Sequence, residues 1–210
     1  MKRNPIVLEG KGIDFGLALL FAFLASISLM NTAGQKSDIQ RIESLAAVPL
    51  LIAASCSFAL RHQARVPTYR DETLIPTLSY LSPFLVFNAD YVLGNNFHWP
   101  AFSLIAIPGI VLTCISMVYL RGSFSILPSI RQLVTSGPYR YIRHPIYFGE
   151  ALYVMGIMLL AFNILSIILF ATLIALLVAR IRIEERKLMA EPAYLAYATS
   201  VKYRFIPLIY

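Results

Sequence analysis

Apolar residues in this chain come in long, nearly unbroken blocks, not in the alternation of a half-buried strand or the narrow stripe of a surface helix. A block of about 20 mostly apolar residues, rising 1.5 Å each, crosses the roughly 30 Å of bilayer hydrocarbon. The blocks that qualify run approximately over residues 13–30, 45–60, 74–93, 101–120, 145–162 and 164–183. They predict about six hydrophobic helices and therefore an all-α, polytopic membrane helical bundle. The second block is short. The last two meet at Asn163 and read as a helical hairpin over 145–183. Pro76 and Pro83 are expected to kink the third helix and Pro108 the fourth, because proline lacks the N–H of the helix ladder. No low-complexity segment or clear repeat interrupts the pattern.

Composition strengthens this picture. The chain has 210 residues, 58% hydrophobic and 14% charged, with a mean hydropathy of +0.69. Soluble domains carry nearer a quarter charged residues, so lipid is the expected solvent. The net charge of +7 does not sit on a nucleic-acid recognition module, and no nucleic-acid partner is expected. With six crossings, all basic residues except Lys36 and Arg41 fall on the side of the N-terminus. By the positive-inside rule that side is cytoplasmic, so both termini are expected there and residues 94–100 opposite. Cys56 and Cys114 lie inside apolar blocks and read as buried small residues, not as a disulfide or metal site. No cleavable secretory signal is visible, and the first apolar block is expected to be retained.

The chemistry concentrates after residue 120. Residues 1–120 read as a four-helix transmembrane scaffold, and residues 121–210 as the region that binds a ligand and ends in a cytoplasmic helical segment. The stretch TSGPYRYIRHPIYFGEA (135–151) combines two arginines, a histidine, three tyrosines and two prolines at the head of the fifth block. Pro145 suits a first helical turn, where its missing N–H costs nothing. The unpaired N–H groups and positive dipole end of that helix would favour a carboxylate or phosphate. Gly137-Pro138 supplies a turn that brings backbone close to a ligand. At the exit of the sixth block, Arg180 and Glu184 share a helix face at i, i+4, and Glu185 points about 100° away from Glu184. Since the fifth and sixth helices are antiparallel neighbours, His144 and Tyr147 are expected to face Arg180 and Glu184. Such a pocket suits a small zwitterionic or nucleoside-bearing ligand. Taken singly, these groups also fit lipid-phosphate contacts, a solvated ion pair and an interfacial aromatic belt.

The pieces LVTSGPYRYIRHPIYFGE, EERKL and AYLAYATSVKYRFIP, in that order over about residues 123–207, resemble the isoprenylcysteine carboxyl methyltransferase family and the related phospholipid methyltransferases. The resemblance implies an integral-membrane methyltransferase that uses S-adenosylmethionine. It places His144, Pro145, Ile146 and Tyr147 at the cofactor as a His-Pro-x-Tyr motif, with Tyr139, Leu133, Val134 and Glu184. It assigns Arg180 to the methyl acceptor as the catalytic, substrate-binding residue. Many relatives carry histidine where this chain has Arg131, and a Phe-Gly pair near the position of Pro192.

Methyl transfer from a sulfonium is an in-line displacement that needs no protein nucleophile and no metal. The protein must align donor and acceptor and exclude water. An acceptor carboxylate is already ionised and would be oriented by Arg180, whereas a thiol or amine would need to lose a proton. The expected partners are the lipid bilayer and a lipophilic acceptor entering sideways between helices. Two other classes stay open: an NADPH-dependent membrane reductase of the sterol-reductase type, and a non-catalytic membrane scaffold or transporter subunit. Helix centres almost free of ionisable residues speak against transport.

Overall fold

The computed structural model describes residues 5–6, 11–34, 38–62, 68–69, 72–79, 81–83, 102–126, 129, 131–160 and 163–210. Its helices are α1 (Lys11–Gly34), α2 (Asp38–Ala59), α3 (Ile107–Leu120), α4 (Pro145–Leu160), α5 (Ile164–Leu188) and α6 (Pro192–Ser200). Residues 74–79 and 81–83 are also helical. The rest of the expected third helix, and with it the effect of Pro83, lies outside the described residues, as does the 94–100 segment. One small feature departs from an all-helical chain: Pro5–Ile6 pairs antiparallel with Thr68–Tyr69.

Three stretches are long and apolar enough to cross a membrane: Ile13–Met30, Leu104–Ser123 and Ile164–Leu188. The apolar parts of α2 (Ala47–Ala59) and α4 (Pro145–Leu159) are shorter. Of the about six hydrophobic helices expected, the described residues show three long spans and two shorter apolar helices. At 1.5 Å per residue the 16 residues of α4 reach only about 24 Å. That length suits a helix packed among others better than one facing lipid along its whole course.

Local sequence sets the helix ends. Asn163 caps α5, its side-chain oxygen accepting from the Ser166 N–H at 2.9 Å, so the tight connection expected at this residue is a cap. α5 continues five residues past the expected boundary at 183, carrying its charged last turn beyond the apolar stretch. Pro108 changes helical register where a kink was expected. Residues Phe102–Ala106 form a wider π-type turn, and regular α-helix starts at Ile107. Proline cannot donate to the carbonyl four residues back, which leaves that turn free to widen. Pro192, at the start of α6, occupies a first-turn position where its ring fits.

Packing runs α1 on α2, α2 on α3, α3 on α4 and α4 on α5. Glycine brings α3 and α4 together. A Cβ on Gly109 would stand 2.6 Å from the Gly149 carbonyl oxygen and from the Tyr153 nitrogen. Ile110, Ala151, Val154, Ile157, Leu173, Leu177 and Ile181 fill the core between α3, α4 and α5. A second core joins Phe21 and Phe58 of α1 and α2 to Met117 and Phe124. Outside these cores the long helices present Phe15, Phe23, Met30, Leu104, Val118 and Ile164 outward, the pattern expected when lipid is the surrounding solvent.

Candidate active site

The head of α4 and the tail of α5 meet, and the segments around them close a pocket at that junction. Gly137 adopts φ +61°, a left-handed conformation that glycine takes without strain. It starts the short turn Gly137–Arg140, which buries Tyr139. The Tyr139 hydroxyl donates to the Ser116 carbonyl at 3.4 Å, and Tyr197 of α6 donates to the Tyr139 carbonyl at 2.6 Å. The backbone then runs beside the C-terminal segment. The Arg143 N–H donates to the Tyr203 carbonyl at 2.9 Å and the His144 N–H to the Arg204 carbonyl at 2.8 Å. The two N–H groups just ahead of α4 are thus engaged, so any anion-binding role of this helix end falls to its first turn.

Two adjacent carboxylates organise the side chains. Glu184 accepts from the Tyr147 hydroxyl at 2.6 Å and from Arg180 Nε at 3.1 Å, and His144 Nδ1 lies 3.8 Å away. The Arg180 guanidinium stands 4.7 Å over the Tyr147 ring, and its Nη2 donates to the Ile126 carbonyl at 2.7 Å. His144 and Tyr147 stack, with centroids 5.5 Å apart and planes 9° from parallel. The four residues expected to face one another are therefore brought together.

Glu185 holds the other half. It accepts from Arg143 Nη1 at 2.7 Å, pairs with His144 Nε2 at 3.0 Å, and accepts from the Tyr194 hydroxyl at 2.6 Å. Arg204 Nε lies 3.7 Å away. Sequence reasoning placed Glu185 off the functional face and missed this role. The usable signal was Arg143: a guanidinium that is buried requires an acid beside it. Burial raises the Tyr194 phenol well above its ordinary pKa, reinforced by its bond to Glu185. Burial acts in the same direction on Tyr139 and Tyr197. All three remain protonated donors at neutral pH.

The cavity here holds about 1150 Å³ of space, its open mouth included. Leu133, Val134, Tyr139, His144, Ile146, Tyr147 and Glu184 line it. Pro145 is fully buried at the α4 start and sets where that helix begins. Arg180, 3% exposed, stands behind Glu184 and Tyr147 and is not part of the lining. Arg131 lines the cavity and donates to the His62 carbonyl. Arg143 Nε and Ser129 Oγ belong to lining residues and are buried without a hydrogen-bond partner among the described residues. A polar ligand would complete them.

This geometry agrees with the comparison of the chain with known families. Residues 102–190 match the isoprenylcysteine carboxyl methyltransferase (ICMT) family. The match covers under half the chain. It contains the whole junction from α3 through the α5 carboxylates and bears out the motif resemblance, which extended further, to about residue 207. Tyr194, Tyr197 and Arg204 lie beyond the matched stretch, yet they close the Glu185 half of the site. No curated protein matches the chain.

Proposed function

We propose that the chain is an integral-membrane methyltransferase that uses S-adenosylmethionine to methylate a lipophilic acceptor, with a carboxylate of the isoprenylcysteine type as the leading candidate. The observation that carries this reading is the cavity. Seven residues that the motif assigns to the cofactor line one space, within a segment matching the ICMT family. The residues present suit such a ligand. Glu184 and the stacked His144 and Tyr147 rings favour a cationic group. The unsatisfied Arg143 Nε and Ser129 Oγ offer donors to a polar one.

S-adenosylmethionine supplies an electrophilic methyl group on a sulfonium. The chain's own residues bind, orient and exclude water. Tyr139 and the backbone of Leu133 and Val134 form the wall, and Ile146 adds an apolar surface. Tyr147 and Arg180 both donate to Oε1 of Glu184, so the position of this carboxylate is fixed before any ligand arrives. Arg180 lies about 5.4 Å, one helical turn, further along α5 toward the apolar stretch. We assign it to the acceptor. Its Nε and Nη2 are engaged, while Nη1 carries no hydrogen bond among the described residues. That atom is the donor with which Arg180 would orient an acceptor carboxylate, by one charge-assisted bond. An ionised carboxylate needs no general base.

A second acceptor class, a phospholipid amine, is favoured by Glu150. This carboxyl lies one turn along α4 from Tyr147. As a carboxylate it would accept the proton that an ammonium acceptor must lose. In the topology that goes with this reading, the site and both termini are cytoplasmic, residues 1–120 are the transmembrane scaffold, and residues 121–210 hold the site. Radiolabelled methyl transfer to a prenylcysteine analogue, a phospholipid amine and a lipid thiol tests the function. Incorporation into the prenylcysteine carboxylate supports the leading acceptor. Incorporation only into the amine selects the second. No incorporation into any lipophilic acceptor, in protein that binds the cofactor, would overturn the transferase reading for these classes.

A further inference from the structure

The turn that ends α2 lies outside the ICMT-matched stretch, yet it braces one wall of the cavity through three kinds of contact. The backbone of residues 60–62 runs against the start of the wall. The His62 N–H donates to the Gly122 carbonyl at 2.8 Å, and Gly122 lies so close to the Leu60 carbonyl that no side chain fits between them. Arg61 makes the polar contact. Its Nη1 pairs with Asp14 of α1 at 2.5 Å and its Nη2 donates to Ser125 Oγ at 3.0 Å, with side chains 7% and 17% exposed for Arg61 and Asp14. The third contact is aromatic. Phe58 stacks on Phe21 at 5.5 Å and meets Phe124 edge-on at 5.6 Å, while the Arg61 guanidinium covers the Phe58 ring at 5.3 Å. Ser125 and Phe124 both line the cavity.

We propose that Arg61 is a positioning residue of the ligand site: held by Asp14 and resting on Phe58, it fixes Ser125 and Phe124 in the cavity wall. The inference rests on the reading of the cavity as the S-adenosylmethionine site. Arg61 does not line the cavity and acts through Ser125. Past residue 123 the wall leaves its last helical turn, so contacts from outside the segment set its shape. A buried arginine–aspartate pair is weak as a source of net stability, because desolvation offsets the attraction. A fixed guanidinium fork gives geometry, which is what a ligand wall requires. The first two helices then belong to the binding site as well as to the membrane anchor.

The test is a double-mutant cycle of Arg61→Gln and Ser125→Ala in the detergent-purified full chain. It reads S-adenosylmethionine Kd by calorimetry, KM and kcat by radiolabelled transfer, and Tm. Each single change is expected to raise Kd and KM for S-adenosylmethionine about fivefold, the worth of roughly one hydrogen bond, with kcat at saturation nearly unchanged. The double variant is expected to be no worse than the weaker-binding single, since both remove one interaction. Arg61→Lys should recover part of the loss. Parental affinity in Arg61→Gln, or fully multiplicative losses in the double, would overturn the proposal while leaving the proposed function standing. If Arg61→Gln fails to fold, parental affinity in both Ser125→Ala and Arg61→Lys overturns it equally. Failure of the parent chain to bind S-adenosylmethionine would remove the proposed function, and this inference with it.

Discussion

Replacing Glu185 with glutamine keeps the shape of the side chain and removes its charge. In the parent, Oε2 faces Arg143 and Oε1 faces both His144 and Tyr194. An amide has one acceptor oxygen, so its NH2 must point at a donor on one side or the other. The less costly orientation keeps oxygen toward His144 and Tyr194 and turns NH2 toward Arg143, which is 7% exposed. The loss then includes one charge-assisted hydrogen bond, about 1.5–3 kcal/mol. It also leaves a buried guanidinium short of its counter-ion. Breaking a buried pair outright costs about 3–5 kcal/mol. The amide fills the space, so about 3 kcal/mol is the working figure. For a chain of this length each kcal/mol shifts Tm by roughly 2–4 °C, giving a fall of about 6–12 °C. Thermal unfolding in detergent, comparing parent, Glu185→Gln and Glu184→Gln, reads this directly. Glu184, with its side chain 15% exposed, should show the smaller fall. A Glu185→Gln variant within about 2 °C of the parent, under 1 kcal/mol on that scale, would refute the hub reading.

Tyr147→Phe removes the bond to Glu184 and keeps the ring under Arg180. S-adenosylmethionine Kd should rise about tenfold, near 1.4 kcal/mol, with Tm little changed; parental affinity would remove Tyr147 from the ligand site. Arg180→Lys keeps the charge and loses the planar fork. It should bind S-adenosylmethionine almost normally and transfer methyl slowly, and near-parental turnover would make Arg180 structural. A reporter fused after Asn95 should respond as non-cytoplasmic, and cytoplasmic behaviour would break the proposed topology.

The parts of this site set by local rules were legible in the sequence. Pro145 starts a helix because a proline is best accommodated in a first turn, and Asn163 was legible as the break between the last two apolar blocks. Glu184 and Arg180 share a face because helical spacing puts them there. Gly137 takes the left-handed conformation that the Gly-Pro turn foreshadowed. What was not legible depended on distant pairing. Glu185 became a hub only when the C-terminal segment folded back, bonding residues 143–144 to 203–204 and bringing Tyr194 alongside. Helical periodicity carries no information about such a return. The same holds for Arg61, whose partners Asp14 and Ser125 lie 47 and 64 residues away. That α4 is packed among other helices was not legible for a different reason. Hydropathy cannot distinguish a helix buried among others, as α4 is, from one that spans lipid.

The central claim is that the junction of α4 and α5 binds S-adenosylmethionine. Titration calorimetry of the detergent-purified chain with S-adenosylmethionine and, separately, NADPH tests it most directly. The account predicts saturable binding of S-adenosylmethionine, weakened in His144→Ala without comparable loss of folded protein, and no saturable binding of NADPH. Binding of NADPH with none of S-adenosylmethionine, or parental affinity in His144→Ala, would contradict it.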